Sequence, residues 1–406
     1  MSAIVFREID GRSVGYFVLL AALGLFVLFG LGSAYYMEEH GHVVTGMNNQ
    51  IVWGMPHVFA VFLIVAASGA LNVASIGSVF GKSMYKPLAP LSGLLAIALL
   101  GGGLTVLMLD LGRPDRVIVA MTYYNFKSVF AWNVFLYTGF FTIVAAYIWS
   151  MMERRMNAFT KPFGVAAFIW RLLLTTGTGS IFGFLVARQA FDSALLAPMF
   201  IIMSFAYGLA IYLLVLMISF SQTGRPLGDK VLLRLKKLQA VFISASLYFV
   251  AIFHITNLYF AKKHGIEHFI LLDGGIYTQM FWIGQILVGG ILPLAILFHP
   301  SLGKSRPWIA ISSVMVILGG LAQMYVTIIG GQAYPLQLFP GMQESSSFFD
   351  GVIHGYTPSL PEIMLGIGGV AIAAVIAVFG IKVLRFLPES LDDKVVDAHH
   401  GAKGTK

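Results

Sequence analysis

Runs of about twenty or more apolar residues recur along this chain, and a run of that length as a helix spans the roughly 30 Å hydrocarbon core of a bilayer. In lipid every backbone N–H and C=O must be paired within the protein, which leaves helices or closed barrels. The runs are continuous and do not alternate polar with apolar residues, so they predict helices. Ten are expected, near Val14–Tyr36, Ile51–Gly77, Leu88–Leu109, Ser128–Met152, Phe163–Ala187, Leu195–Phe220, Leu238–Phe260, Ile276–Phe298, Trp308–Gly330 and Leu360–Phe386. Only 11% of the residues are charged and 58% are hydrophobic, against roughly 25% charged in soluble domains. The fold class is therefore an all-α polytopic membrane protein. The membrane domain is expected over residues 1–387 and a flexible polar tail over 388–406. The first run has no small-residue cleavage signature, so it is read as a retained helix and not a signal peptide.

The chain has no cysteine. That excludes disulfides, thiolate-bound zinc and iron–sulfur clusters ligated by this chain. A net charge of +8 on a soluble protein would suggest nucleic acid. Here no nucleic-acid partner is expected, because basic residues in a membrane protein set its orientation. With the N-terminus inside, nineteen Lys and Arg fall in inside segments and six in outside ones, with Arg171 within a helix. Both termini are then expected in the cytoplasm. The outside arginines Arg113 and Arg116 are exceptions that need a reason. The segment from Gly331 to Pro361 faces outside, has no Lys or Arg, and is rich in Gly, Pro, Ser and aromatics. Loops this long are usually functional or disordered.

Polar residues gather at the outside ends of several helices. The stretch "LMLDLGRPDRVI", Leu107 to Ile118, places Asp110, Arg113, Asp115 and Arg116 just where an apolar run stops. His57 lies about 9 Å below the outside start of the second helix, by helix rise. Tyr123, Tyr124, Asn125 and Lys127 precede the fourth helix, His254 and Asn257 close the seventh, Gln332 follows the ninth, and Glu362 opens the tenth. Each has a plain structural reading: a helix-end ion pair between Asp110 and Arg113, a packed histidine, an aromatic belt, a helix-start carboxylate. Together they put one possible base, two carboxylates and several donors on one face. Ionisable groups at membrane depth are costly and usually functional. Arg171 with "TTGTGS", which carries Thr175 and Thr178, suggests a proton path toward the inside, or helix packing with Arg171 snorkelling to the interface. Gln285 and Gln323 extend a polar path or link helices.

The stretches "LDLGRPDR" and "YYNFKSVFAWNVFLYTGF", with "WGMPHVFAVFLIVAASG", resemble the NrfD/PsrC family of polysulfide-reductase-type membrane subunits. "GGQAYPLQLFPG" and "YTPSLPE" resemble its ten-helix branch, which includes the hydrogenase-type and alternative-complex-III-type subunits, and within it the chain most resembles a subunit of a sulfur-metabolising complex. The resemblance implies two four-helix bundles, helices two to five (51–187) and six to nine (195–330), flanked by peripheral helices one and ten. It implies a menaquinone or ubiquinone site at the outer face, with no haem or metal in this subunit. It implies an extracytoplasmic iron–sulfur partner, with cytochrome and further membrane subunits, in a bacterial or archaeal cytoplasmic membrane. Carried onto this sequence, His57 and Asp110 would be the reactive groups, and Arg113, Tyr123, Tyr124 and Asn125 would complete the quinone site. Arg113 would orient Asp110. Glu362 would match the carboxylate of the family's final-helix motif. From the residues themselves, Arg171, Thr175 and Thr178, with Glu362, are the candidates for a proton path.

Three other readings are open. A secondary transporter would place its site near the midplane, which the one-sided polar groups disfavour. A passive anchor would have no site. A cytochrome would use His57 and His254 on one haem.

Overall fold

The structure, a computed structural model, describes residues 4–336, 339, 342 and 351–396. Among the described residues ten helices are long and apolar enough to cross a membrane: α1 Val14–His40, α2 Met55–Ser78, α3 Ser83–Leu109, α4 Val129–Met152, α5 Arg154–Gly183, α6 Leu196–Thr223, α7 Asp229–Tyr259, α8 Ile276–Phe298, α9 Arg306–Ala333 and α10 Leu360–Val383. Strands are absent there apart from two isolated bridges. Several helices outrun their apolar stretch. α7 begins nine residues before Leu238, with Lys230, Arg234, Lys236 and Lys237 in its first turns. Hydropathy marks only the lipid-facing length, whereas a helix continues into water on its own hydrogen bonds.

Burial ranks the helices. The apolar window of α2 is 89% buried and that of α1 only 6%, so α2 is the hub and α1 lies at the rim. Contacts run round α2, α3, α4 and α5, and round α6, α7, α8 and α9. α2 and α6 meet directly, α10 lies on α2 and α3, and α1 packs on α10. The α2–α6 crossing requires glycine. A Cβ on Gly69 would strike the Ser204 carbonyl, and one on Gly208 would strike the backbone of Gly69 and Ala70. Small residues let helix backbones approach closely where lipid supplies no hydrophobic drive to association.

An even number of spans puts both described ends on one face, here called the terminal face; the other is the distal face. The N-terminal segment bridges to Pro388 through Phe6. The Arg225 guanidinium donates to the carbonyls of Arg7, Glu8, Leu387 and Pro388 at 2.9–3.3 Å. Leu391 pairs with Pro226 and Gly228 through backbone bonds of 2.9 Å, and Asp393 accepts from Lys230 N at 3.0 Å. The tail expected to be flexible from residue 388 is thus docked as far as the short helix Asp393–Val396. Its remainder lies outside the described residues, as does most of the stretch between residues 337 and 350 in the long distal loop.

Candidate functional site

On the distal face, His57 stands in the first turns of α2, just after Pro56, which suits a helix start because its missing N–H is not needed there. Asp110 is the residue that ends α3. His57 Nδ1 lies 2.7 Å from Asp110 Oδ2, with the histidine side chain 17% exposed and the carboxylate 1%. Among the described residues Asp110 Oδ1 has no hydrogen-bond partner, and Oδ2 meets only this imidazole. A buried carboxylate in that condition is costly.

The indole of Trp53 stacks by His57, with centroids 6.0 Å apart at 26°, and also meets Phe130 and Phe182. Its backbone is gripped from α9. The fully buried Gln332 accepts from the N–H groups of Val52 and Trp53 at 3.0 and 3.1 Å and donates to Trp53 O at 3.0 Å. Arg188, from the α5–α6 connection, donates to Gln332 O at 3.0 Å and Gln50 O at 2.7 Å. Burial lowers the pKa of that guanidinium. At the start of α2, Tyr356 accepts from Met55 N and donates to Glu362, both at 2.6 Å. Burial and the adjacent Glu362 carboxylate raise the Tyr356 phenol far above its ordinary value. Glu362 is fully buried and also accepts from Gly46 N and Ser359 N, each at 2.8 Å.

The structure brings together His57 and Asp110 and disperses the other residues singled out in the sequence. Arg113 does not pair with Asp110. It is exposed and reaches Asp115 at 3.4 Å, because the turn through Gly112 and Pro114 carries it past the end of α3. Tyr123 is 83% exposed. Tyr124 stacks on Phe135 at 4.3 Å, and Asn125 closes a turn by accepting from Lys127 N at 3.1 Å. None of these four bonds to His57 or Asp110. Arg171 does not snorkel. It is completely buried, donates to Asn72 at 3.0 Å and lies 5.0 and 4.9 Å from the rings of Phe168 and Phe205. Thr175 and Thr178 bond back to their own helix. Glu362 serves as a backbone acceptor at the start of α10. His254 meets its own carboxylate, Glu267, at 2.6 Å.

Sequence reasoning placed Gln332 at the outer face without its contacts, and missed Trp53, Arg188 and Tyr356 beside it. Trp53 and Gln332 stand in the quoted stretches "WGMPH" and "GGQAYP". What they touch depends on helices far apart in sequence.

A family model described as polysulphide reductase, NrfD, matches residues 43–335, well over half of the chain. The chain belongs to the NrfD family. The matched NrfD segment contains His57, Asp110, Trp53, Arg188 and Gln332, and stops before Tyr356 and Glu362. Among its relatives is the Hdr-like menaquinol oxidoreductase integral membrane subunit of Archaeoglobus fulgidus, 30% identical over 97% of this chain and 100% of that protein. The C subunit of the selenate reductase of Mesobacillus selenatarsenatis is 25% identical, over 95% of this chain and 96% of its own length. The polysulfide reductase of Wolinella succinogenes has a C component that is 22% identical, over 70% and 96%.

Proposed function

We propose that this chain is the quinone-reactive membrane subunit of a respiratory oxidoreductase. It exchanges electrons between a membrane quinone, menaquinone or ubiquinone, and an extracytoplasmic iron–sulfur subunit at the distal face. One observation carries the reading: a buried carboxylate with one oxygen unpartnered and the other 2.7 Å from a histidine that is 17% exposed and lies beside a tryptophan ring. Oxidising a quinol removes two electrons and two protons. A site for it needs an apolar slot and a proton acceptor near each ring oxygen. His57 suits one oxygen, because histidine is the side chain that ordinarily titrates near neutral pH. Asp110 holds the imidazole and passes its proton toward distal water. Trp53 bounds the ring edge. The electrons leave to a partner.

The relatives support this class. One is named for menaquinol oxidation and another, from Nitratidesulfovibrio vulgaris, for menaquinone reduction. Sulfur compounds at the far end of the electron path, as in a DsrP-type subunit of a DsrMKJOP complex, are the finer part of the proposal. The polysulfide reductase relative supports it. The membrane is the bacterial or archaeal cytoplasmic membrane with both termini inside, on the charge bias. The test is quinol oxidation by purified complexes of matched subunit content. His57→Leu and Asp110→Asn should each lose about 10²–10⁴-fold in turnover, while transfer among the partner's own centres survives. Wild-type turnover in both variants would overturn the proposal.

A further inference from the structure

The proposed quinone site leaves unused a second acid–base cluster at the distal face. Glu267 is buried in the short helix His264–His268, between α7 and α8. One of its oxygens meets His254 Nδ1 at 2.6 Å, and the other accepts from Asn257 at 2.8 Å. Around it stand Lys263, whose ammonium binds the carbonyls of Phe191 and Asp192, and the exposed pair Lys262–Asp192.

Beneath this cluster lies a cavity of about 40 Å³ reaching Gln285 and Gln323. A second, of about 20 Å³, continues from the same two glutamines to Tyr207 and Ser246. Tyr207 donates to Gln323 at 2.5 Å, and the buried Ser246 hydroxyl has no partner. From His254 to Ser246 the path follows eight residues of α7, about 12 Å by helix rise.

Size decides what this path can hold. Organic ligands need roughly 300–1,000 Å³, whereas one water needs about 10–15 Å³ and two to four polar partners. The two cavities have room for a few waters and are too small for a quinone. Their walls are also irregular. α8 runs through π-helical turns over Met280–Ile291 and α9 over Val326–Gly330, and these turns carry Gln285, Gly289, Val326 and Thr327 of the lining. Such turns are rare and concentrate at functional sites.

We propose that the interior of α6 to α9 is a water-holding proton path. It opens at the distal face through Glu267 and His254 and ends at Tyr207. A proton from distal water enters on the Glu267–His254 pair and moves along waters held by Gln285, Gln323 and Ser246. No electron or covalent step is involved. At the inner end Tyr207 packs on Phe62 of α2, with ring centroids 5.3 Å apart. The path thus abuts the helix that carries His57, five residues along. This inference stands on its own cavities and does not depend on the quinone reading.

The natural absence of cysteine makes a direct test possible in the intact complex in membranes. Silver ion, small enough for a water path, is added in chloride-free buffer, and thiols left free are counted with a maleimide after denaturation. Ser246→Cys should be blocked from the distal side, whereas Leu213→Cys, buried in α6 away from both cavities, should stay free. Adding Glu267→Gln, which keeps the shape of the side chain, should slow blocking about tenfold by removing the charge that concentrates cations at the mouth. Should Ser246→Cys fail to assemble, Val250→Cys lines both cavities and gives the same measurement. Infrared spectra should show a carboxyl band that responds to bulk pH and to D₂O and is lost in Glu267→Gln. Blocking of Ser246→Cys no faster than of Leu213→Cys, or the absence of that band, would overturn the proposal.

Discussion

Gln332 holds Trp53 from both sides of its peptide unit, accepting from its N–H at 3.1 Å and donating to its C=O at 3.0 Å. A residue at the end of α9 thereby positions the ring that stacks beside His57. Gln332→Leu would leave buried donors and an acceptor unpaired, each costing about 1–3 kcal/mol. We expect a lower unfolding temperature for the complex and a raised KM for quinol, with a smaller effect on kcat. Gln332→Glu keeps the acceptor and should recover part of the KM. An unchanged KM in Gln332→Leu would show that Trp53 does not bound the substrate.

Arg113 and Asp110 should separate in their effects. The Arg113–Asp115 pair is exposed on both sides, and surface pairs contribute about 0–1 kcal/mol. Arg113→Gln is expected to leave quinol turnover within about twofold of wild type, where Asp110→Asn loses about 10²-fold or more. His264→Leu, whose exposed ring only meets the Leu258 carbonyl, should be as mild as Arg113→Gln. Equal losses in Arg113→Gln and Asp110→Asn would mean that the loop, and not the buried pair, carries the activity.

The Tyr356–Glu362 cap should respond to alkali. The folded phenol titrates above its ordinary value, which lies near 10. The bond is therefore fully present below about pH 10 and is lost as pH rises through the folded value. Detergent-solubilised wild type should lose more stability between neutral pH and about pH 11 than Tyr356→Phe does. Parallel alkaline curves would remove this residue from the cap. Glu362→Leu, which strands Gly46 N, Ser359 N and the phenol, should cost about 3 kcal/mol or more.

Topology is tested by reporter fusions after Leu387 and within Gln343–Ser347. The nineteen-to-six division of basic residues predicts the first inside and the second outside. Finding both reporters on one side would contradict an even count of ten spans.

Ten apolar runs and their basic flanks were enough, by sequence alone, to establish spans, helix class and the gathering of polar residues at one face, because lipid imposes length and polarity on each segment separately. His57 and Asp110 were visible for the same reason: both are ionisable residues at an apolar boundary. Their pairing was not visible, since 53 positions separate them and only the packing of α2 against α3 brings them within 2.7 Å. Arg113, three residues from Asp110, looked like the natural partner by spacing. The turn after α3 directs it to Asp115 instead, in water, where the charge costs least. Gln332 was legible only as a polar residue at a helix end, and Arg188 and Glu267 carry no local pattern that marks them. Each gains its role from backbone or side chains on distant helices, and those approaches were decided by crossings such as Gly69 on Gly208, where side-chain size and not hydropathy sets the geometry.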